Sequence, residues 1–493
     1  MKSIRSINSD AIVDLVTGRS QQKYIWLQRA WLVVLFLGGL YLWGYFLNWG
    51  RGPLNFHDWA YIYGPRLTFL REAIIRGELP LHMSAPAIEG GGTLRFLSIP
   101  DQILSPQVIL LYWVKVRHFV LFHFWLMYAL GFWALLRLRG RFGLSLLAFT
   151  IFFALFNFNG SILAHASIGH ASWGGYFLYP IFAWLIFDLL DGKGNWGWVA
   201  KVTFLAFFIF LQGSYHQFIY LLFFLGLLAL CDWGHFWLIA RTAVFVVLVS
   251  MVRLLPAVLL MGKMDTGFHA GYPLVQSIWQ YMTQLQIPND LTVNLDLTDT
   301  VATWEYTFFI GIPAALFLLY FGLLRTLTED EDPHHFRLLL LPCLGLTLLS
   351  LDRVFVTLRH VVPIPLFTSE RVAARIFGLA FVFILILATV QFQRWLDQRR
   401  TSLVGALAMV LLVVLAANDL QRNLFLWSLP NVAKYYPVIN WEPKLYYPAN
   451  QFDDTPYLRL LVIGLLVSLL SAGALLYLAW RERRASTQAQ QND

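Results

Sequence analysis

The chain has 493 residues, of which 58% are hydrophobic, 17% aromatic and only 13% charged. Soluble domains contain about 25% charged residues, so this composition excludes an ordinary soluble protein and predicts an integral membrane protein. The net charge of +8 does not indicate nucleic-acid binding, because the basic residues lie mostly at the ends of apolar runs. There they orient membrane spans and meet anionic lipid headgroups. Cys231 and Cys343 lie in or beside apolar runs, which predicts packing rather than a disulfide framework.

Apolar runs recur along the chain and predict an all-α, polytopic transmembrane protein with about twelve spans. The first run follows a basic N-terminal arm, 1–29, and no small-residue cleavage site comes after it, so it predicts an uncleaved span. The predicted spans are 30–49, 119–136, 144–158, 173–190, 198–212, 217–231, 237–258, 306–324, 337–351, 376–393, 403–418 and 458–480.

The distribution of lysine and arginine predicts the topology of these spans. Short connectors rich in Lys and Arg face the cytoplasm in most membrane proteins, which places both termini in the cytoplasm. The long connectors then lie outside, and they are 50–101, 259–305, 352–375 and 419–457. The chain thus divides into a cytoplasmic N-terminal arm (1–29), a transmembrane module (30–395) and C-terminal transmembrane helices with a short cytoplasmic tail (396–493). We expect the C-terminal part to carry its outer connector, 419–457, as a small surface element.

The first outer loop, 50–117, is a long polar stretch in an otherwise apolar chain. Pro65 suits the first turn of a helix and Gly77 suits its end. Leu67, Leu70 and Ile74 fall on one face, which predicts a helix lying on the outer membrane surface. The apolar run 103–114 is too short to span the bilayer and predicts an interfacial or re-entrant helix.

Asp58 is the first candidate for chemistry. It stands between His57 and Trp59, near Tyr61 and Tyr63, which can supply hydrogen bonds and a surface for stacking a sugar. One interpretation is a general base at the membrane face, and the other is a turn or capping aspartate. His57 is an alternative base. Because neighbouring side chains point in different directions, we expect only one of the two to face a substrate.

Polar residues also interrupt two later connectors on the predicted outer side. His165 and His170 lie in the first of these, and His216 and Gln217 lie in the next. Their position at one membrane face predicts a shared cavity. Ordinary interfacial histidines are the alternative, and no carboxylate stands at a zinc-like spacing from them.

Arg371 and Arg375 are four residues apart at the predicted start of an outer-side helix, which places both on one face. Arginine pairs bind phosphate through bidentate hydrogen bonds, and a helix N-terminus adds to the attraction. The alternatives are an interface anchor or a pair with Glu370. Glu305, at another outer boundary, is a candidate to bind a sugar hydroxyl, a metal ion or an arginine such as Arg371.

These residues and their order resemble YfhO-like bacterial membrane proteins of the GT-C glycosyltransferase superfamily. The resemblance begins with His57-Asp58-Trp59 in the first outer loop and extends over 30–395. Its other elements are Pro65, Leu70-Arg71-Glu72, Gly77 to Leu81, Ser105-Pro106, Gly169-His170, Gln212 to Gln217, Glu305-Tyr306, Phe309-Ile310-Gly311 and Arg371 with Arg375.

The resemblance implies a GT-C-like module in a bacterial plasma membrane, with its active face outside the cytoplasm. It implies a polyprenyl-phosphate-sugar donor, a glycan or lipid acceptor and contact with membrane lipids, and no nucleic acid. By this resemblance Asp58 is catalytic and Arg371 and Arg375 bind the donor phosphate. The expected sugar-binding residues are His57, His170, His216, Gln217 and Glu305.

One departure from the superfamily pattern concerns metal ions. Many GT-C enzymes have a paired acidic motif, and no second acid stands beside Asp58. A divalent cation, Mg²⁺ or Mn²⁺, is therefore a possible cofactor rather than an expected one. A transporter or flippase of lipid-linked sugars is the main alternative function, and a structural subunit is a third. Carriers often have charges inside broken spans, whereas here the charges gather at the outer boundary, which favours the enzyme.

Overall fold

The computed structural model describes residues 9–18, 25–85, 92–261, 270–288, 291–293, 300–329, 332, 334–362, 370–398 and 402–492. This part of the chain is mostly helical, and its two sheets are short antiparallel ribbons. Ribbon one pairs β1 (His82–Ser84) with β2 (Thr93–Arg95), and ribbon two pairs β3 (Leu291–Val293) with β4 (Thr300–Ala302).

The first ten helices are α1 Ser9–Thr17, α2 Ile25–Phe46, α3 Gly64–Arg76, α4 Val116–Phe142, α5 Leu146–Phe158, α6 Gly160–Ile168, α7 Tyr179–Asp188, α8 Trp196–Leu211, α9 Tyr215–Cys231 and α10 Phe236–Val249. The others are α11 Met251–Met261, α12 Val275–Thr283, α13 Ile312–Phe317, α14 Arg325–Thr328, α15 Phe336–Leu349, α16 Asp352–Val361, α17 Phe377–Gln398, α18 Leu403–Leu426, α19 Leu429–Val432 and α20 Thr455–Asn492. Short 3₁₀ or π turns extend or join several of them, including Ala171–Leu178 before α7 and Ala373–Ile376 before α17.

Seven helical stretches of the described chain are long and apolar enough to cross a membrane. An eighth forms if α10 and α11, which are bent by 64° at their junction, act as one span. Four shorter apolar helices lie at Trp196–Leu211, Tyr215–Cys231, Ile312–Thr328 and Phe336–Leu349. The predicted all-α, membrane-embedded class is therefore confirmed. Helical segments overlap all twelve predicted runs, but the first begins at Ile25, the run 237–258 is broken into α10 and α11, and helix begins only at Ile312 in the run 306–324.

The connectors between the helices gather at two opposite ends of the bundle. At one end Asp58, which follows α2, contacts His170, which follows α6. At the other end Arg141 donates a 2.7 Å hydrogen bond to Asp188, so the connectors after α4 and α7 meet there. Connectors that the charge pattern assigns to the same side of the membrane therefore contact each other.

The first outer loop folds largely as its turn residues predict. Helix α3 has Pro65 in its first turn and ends at Gly77, which has a left-handed backbone with φ of 66°. Leu67, Phe69 and Leu70 are buried, so this helix packs against the rest of the protein on more than one face. The run 103–114 contains a 3₁₀ segment, Pro106–Tyr112.

The C-terminal connector, 427–454, is more than the small surface element we expected. It lies along the first outer loop, where the backbone N–H of Ile439 donates to the carbonyl of Asn55 at 2.7 Å. Near its end, the guanidinium of Arg95 donates two hydrogen bonds to Asp454, at 2.6 and 2.8 Å. Two regions from opposite ends of the sequence therefore form one layer over this end of the bundle.

Replacing Asp454 with asparagine should loosen this layer, because Arg95 and His82 both use that carboxylate. Hydrogen bonds to charged groups are worth about 1.5–3 kcal/mol. We therefore expect amide hydrogen exchange to become roughly tenfold faster at Ala449, whose N–H is bonded to the His82 carbonyl. Asp453→Asn is the matched control, since this neighbour is exposed. Equal exchange in the two variants would show that the carboxylate does not hold the connector.

Candidate functional site

A chain of hydrogen bonds joins Asp58 to two histidines. Gly169, with φ of 124°, ends helix α6 and directs His170 towards the first outer loop. His170 Nε2 lies 2.8 Å from Asp58 Oδ2, and its Nδ1 lies 2.9 Å from Nδ1 of His165. An ionised carboxylate can only accept, so His170 donates to Asp58 and its Nδ1 is held by His165. Neither nitrogen of His170 is free to take a proton from a substrate.

His57 faces the same place as Asp58, contrary to our expectation that only one of the two would do so. Its backbone is left-handed, with φ of 43°, and this turns the side chain back towards Asp58. His57 Nδ1 is 3.4 Å from Asp58 Oδ1, which is ion-pair range but not an aligned hydrogen bond. The ring packs against Trp304 and Tyr436, with centroids 4.7 and 5.3 Å away.

Arg375 and Glu305 form a bidentate pair beside these groups. Nε and one terminal nitrogen of Arg375 donate to the two carboxylate oxygens of Glu305 at 2.7 and 2.6 Å. The guanidinium also lies 5.1 Å from the ring centroid of Trp173, whose ring in turn packs on His165 at 4.1 Å. The Arg375 side chain is only 8% exposed, so its charge is held inside the protein by Glu305.

Glu370 is a fully buried carboxylate that fixes His216. One of its oxygens accepts from His216 at 2.7 Å and from the hydroxyl of Tyr220 at 2.9 Å. The other accepts from the backbone N–H groups of Arg371 and Val372. This side chain is 0% exposed, and its four partners explain how it can remain ionised there.

The expected pairing of Arg371 with Arg375 on one helix face is wrong. Val372 has φ of −119° and ψ of 78°, so the helical segment begins only at Ala373 and Arg371 lies outside it. The side chain of Arg371 is exposed. It pairs neither with Glu370, which uses the backbone N–H of Arg371, nor with Glu305, which uses Arg375.

Gln217 is placed behind the site, where it is only 2% exposed. Its amide nitrogen makes a long, 3.5 Å hydrogen bond to the Trp173 carbonyl, and its Oε1 has no partner in the described structure. We name the six residues that meet at this end of the bundle the Asp58 cluster: His57, Asp58, His170, Trp173, Glu305 and Arg375. His216 and Glu370 adjoin it, since Trp173 and His216 have ring centroids 6.2 Å apart.

The protonation states in the cluster follow from burial and neighbouring charge. Burial opposes ionisation of Asp58, but the hydrogen bond from His170 and the charges of His170 and His57 outweigh it, so its pKa lies below the usual value. Burial likewise opposes ionisation of Glu305, and Arg375 outweighs it, so that pKa is also lowered. Burial lowers the pKa of His57, and Asp58 only partly offsets this. At neutral pH the cluster therefore holds ionised Asp58 beside neutral His57.

Sequence reasoning missed Trp173 and Tyr436 as parts of the site. Trp173 stands among small residues, three after His170. This position in a polar connector could have indicated that Trp173 belongs to the site. Tyr436 lies in the C-terminal connector, outside the region of family resemblance, and no sequence feature indicated that it belongs to the site. The second acid near Asp58 is Glu305, whose charge acts to raise the pKa of Asp58. These two acids are far apart in sequence, so no local motif contained both.

The side chains of the described chain do not assemble a metal site. No group of three or more His, Cys, Asp or Glu residues there is arranged to hold a metal ion. Both oxygens of Glu305 are used by Arg375, and one oxygen of Asp58 is used by His170. This donor set does not fit a resident divalent cation, so we derive no chemical step through one.

Replacing Gly169 with alanine should disturb the cluster through the backbone. A Cβ there would fall against the Trp59 nitrogen and only 2.7 Å from the carbonyl carbon of Asp58. The positive φ adds strain for any L side chain. We expect a loss of roughly 1–3 kcal/mol in stability, seen as a lower midpoint of thermal unfolding in detergent. Gly140→Ala in α4, where nothing lies within 4 Å, is the control and should not lower the midpoint, because alanine favours a helix more than glycine does. Equal midpoints would contradict the close approach.

No protein-family model, curated protein or solved structure matches the chain. The geometry of the Asp58 cluster therefore carries the functional inference.

Proposed function

We propose that this protein is a membrane glycosyltransferase of the GT-C class, resembling YfhO-like proteins of the bacterial plasma membrane. It transfers a sugar from a polyprenyl-phosphate-linked donor to a lipid-linked glycan, a cell-envelope polymer or a protein acceptor at the outer face. The observation that carries the proposal is the ionised Asp58, held by His170 and flanked by neutral His57 and buried Glu305. Such a perturbed cluster at one end of a helix bundle suits acid–base chemistry.

Asp58 acts as the general base in this proposal. Its Oδ1 accepts the proton of the acceptor hydroxyl, while that oxygen forms a bond to the anomeric carbon of the donor sugar. The bond between the anomeric carbon and the phosphate oxygen breaks, and its electron pair leaves with the polyprenyl phosphate. His170 occupies Oδ2 and keeps the carboxylate oriented, so one oxygen remains for the substrate.

The other predicted site residues have narrower roles. His57 lines the sugar site together with Trp304 and Tyr436, whose rings suit stacking on a sugar. Arg375 holds Glu305 and reaches a donor phosphate only if that pair opens. Arg371, which is exposed, is the freer of the two arginines assigned to the phosphate. His216 and Gln217 lie behind the site, where both contact Trp173.

The proposal includes a full topology of twelve spans with both termini in the cytoplasm. It counts the seven long apolar stretches, the bent pair and the four shorter apolar helices as spans. Contacts between connectors at each end of the bundle support the alternation of these spans. The positive-inside pattern then assigns the Asp58 end to the outer face.

A carrier of lipid-linked sugars is the second candidate, and the bent pair α10–α11 is the observation that favours it. Arg253, in the second half of this pair, is buried and donates to the carbonyls of Leu97, Ile99 and Pro100. A moving hinge would have to give up these three hydrogen bonds. They tie the break to the first outer loop and favour a fixed enzyme scaffold.

The Asp58→Asn variant tests the proposed function. Asparagine keeps the shape and can accept from His170, but it cannot take a proton, so we expect transfer to fall roughly 10²–10⁴-fold. The measurement is release of polyprenyl phosphate from a panel of polyprenyl-phosphate-linked hexoses and pentoses, with purified protein and envelope acceptors. Asp453→Asn, away from the cluster, should retain wild-type transfer. Transfer by Asp58→Asn at the wild-type rate, with an unchanged unfolding midpoint, would exclude Asp58 as the base.

The pH dependence of transfer separates Asp58 from His57 as the base. A base must be deprotonated, so activity falls as the pH drops below its pKa. The hydrogen bond from His170 holds the pKa of Asp58 below its usual value, so with Asp58 as the base kcat/KM should stay level from neutral pH down to about 4. Burial lowers the pKa of His57 from its usual value, so with His57 as the base an acid limb should depend on that side chain. An acid limb above pH about 4 that disappears in His57→Gln would assign the base to His57 instead.

A further inference from the structure

A cavity in the described part of the chain lies beside the Asp58 cluster rather than within it. It has a volume of about 810 Å³ and opens between the end of α2 and the segment that follows α18. Tyr45, Trp49 and Phe425 give it an aromatic wall, and Arg422 and Lys434 lie on its rim. This volume is in the range of pockets that bind small molecules.

The two cations are its distinctive feature. Arg422 and Lys434 are exposed, and neither makes an ion pair with a carboxylate of the described chain. Lys434 has only the side-chain oxygen of Asn431, at 3.4 Å. By contrast, Arg375 is neutralised by Glu305 and Arg66 by Asp101.

Two asparagines and a serine of the cavity are already engaged within the chain. The amide of Asn48 donates to the Gly52 carbonyl at 2.6 Å, and that of Asn431 donates to Leu426 at 2.8 Å. The hydroxyl of Ser428 donates to the Phe425 carbonyl at 2.8 Å. The two cations are the charged donors of the cavity, and their chemistry selects an anion with several acceptor oxygens.

The walls of the cavity favour a lipid over a free anion. Tyr45 lies in the last turn of an apolar helix of membrane-spanning length and Trp49 lies just after it, a position where aromatic rings mark the membrane–water interface. Phe425 packs on Tyr45 with ring centroids 5.2 Å apart and extends this apolar wall. A lipid phosphate would place its phosphate at the basic rim and its hydrocarbon chain against the aromatic wall.

The cavity also lies close to the candidate site along the chain. Lys434 is two residues from Tyr436, so their Cα atoms are at most about 7 Å apart. The ring of Tyr436 packs on His57, and its hydroxyl donates to the Pro288 carbonyl at 2.6 Å. A sugar attached to a phosphate at Lys434 would point along this segment towards His57.

We propose that Arg422 and Lys434 bind the phosphate of the polyprenyl-linked donor in this cavity. The inference rests on the proposed function for the identity of the lipid. It places that phosphate at a site separate from Arg371 and Arg375, the residues to which the family resemblance assigns it.

Native mass spectrometry of the purified full-length protein in detergent tests the site. Polyprenyl phosphate, phosphatidylglycerol and inorganic phosphate are titrated separately against the wild type and the double variant Arg422→Gln/Lys434→Gln. We expect the double variant to bind polyprenyl phosphate roughly a hundredfold more weakly, about tenfold for each cation. Both side chains are exposed, so the unfolding midpoint should not change. Lys444→Gln, on the same connector but outside the cavity, is the matched control and should bind as the wild type does.

Several results would overturn the inference. Wild-type affinity in the double variant would exclude the cavity, and a comparable loss in Arg371→Gln alone would place the phosphate there instead. Equal affinity for phosphatidylglycerol would indicate a general lipid site, and displacement of polyprenyl phosphate by equimolar inorganic phosphate would exclude a lipid ligand. Specific binding by a wild-type protein that transfers no sugar would support the cavity while the proposed function fails.

Discussion

Three carboxylates are largely buried at one end of the helix bundle. Each lies against a basic side chain from a distant part of the sequence. Leaving any of them ionised and unpaired in a low-dielectric interior would be costly. Each pair therefore ties two connectors together, and the three together fix how the helix ends meet. The pairs are Asp58 with His170, Glu305 with Arg375, and Glu370 with His216.

This constraint explains why much of the site could be predicted from sequence. In a chain with so few charged residues, polar side chains can gather only where helices end. Asp58, His170, Glu305 and Arg375 all stand at such ends, and the structure brings them together. The predicted helical, membrane-embedded class follows from hydrophobic patterning alone.

The parts that could not be predicted depend on single backbone angles or on distant contacts. The left-handed backbone of His57 turns it towards Asp58, and nothing in the residue type required that conformation. The extended backbone of Val372 separates Arg371 from the helix that carries Arg375, although their spacing suggested a shared face. Tyr436 reaches His57 only because the C-terminal connector lies along the first outer loop. A contact between two connectors so far apart in the chain cannot be predicted from the local sequence of either one.

The position of Tyr436 has a consequence for how the protein is made. Synthesis runs from the N-terminus, so His57 and Asp58 are made early. Tyr436, which packs on His57, is made near the end. A nascent chain carries the complete Asp58–His170 pair long before Tyr436 and the neighbouring cavity exist. The Asp58 cluster therefore lacks its contact with Tyr436 until the C-terminal connector has been made. The same order means that a fragment ending near residue 395 would lack both Tyr436 and the cavity lined by Arg422 and Lys434.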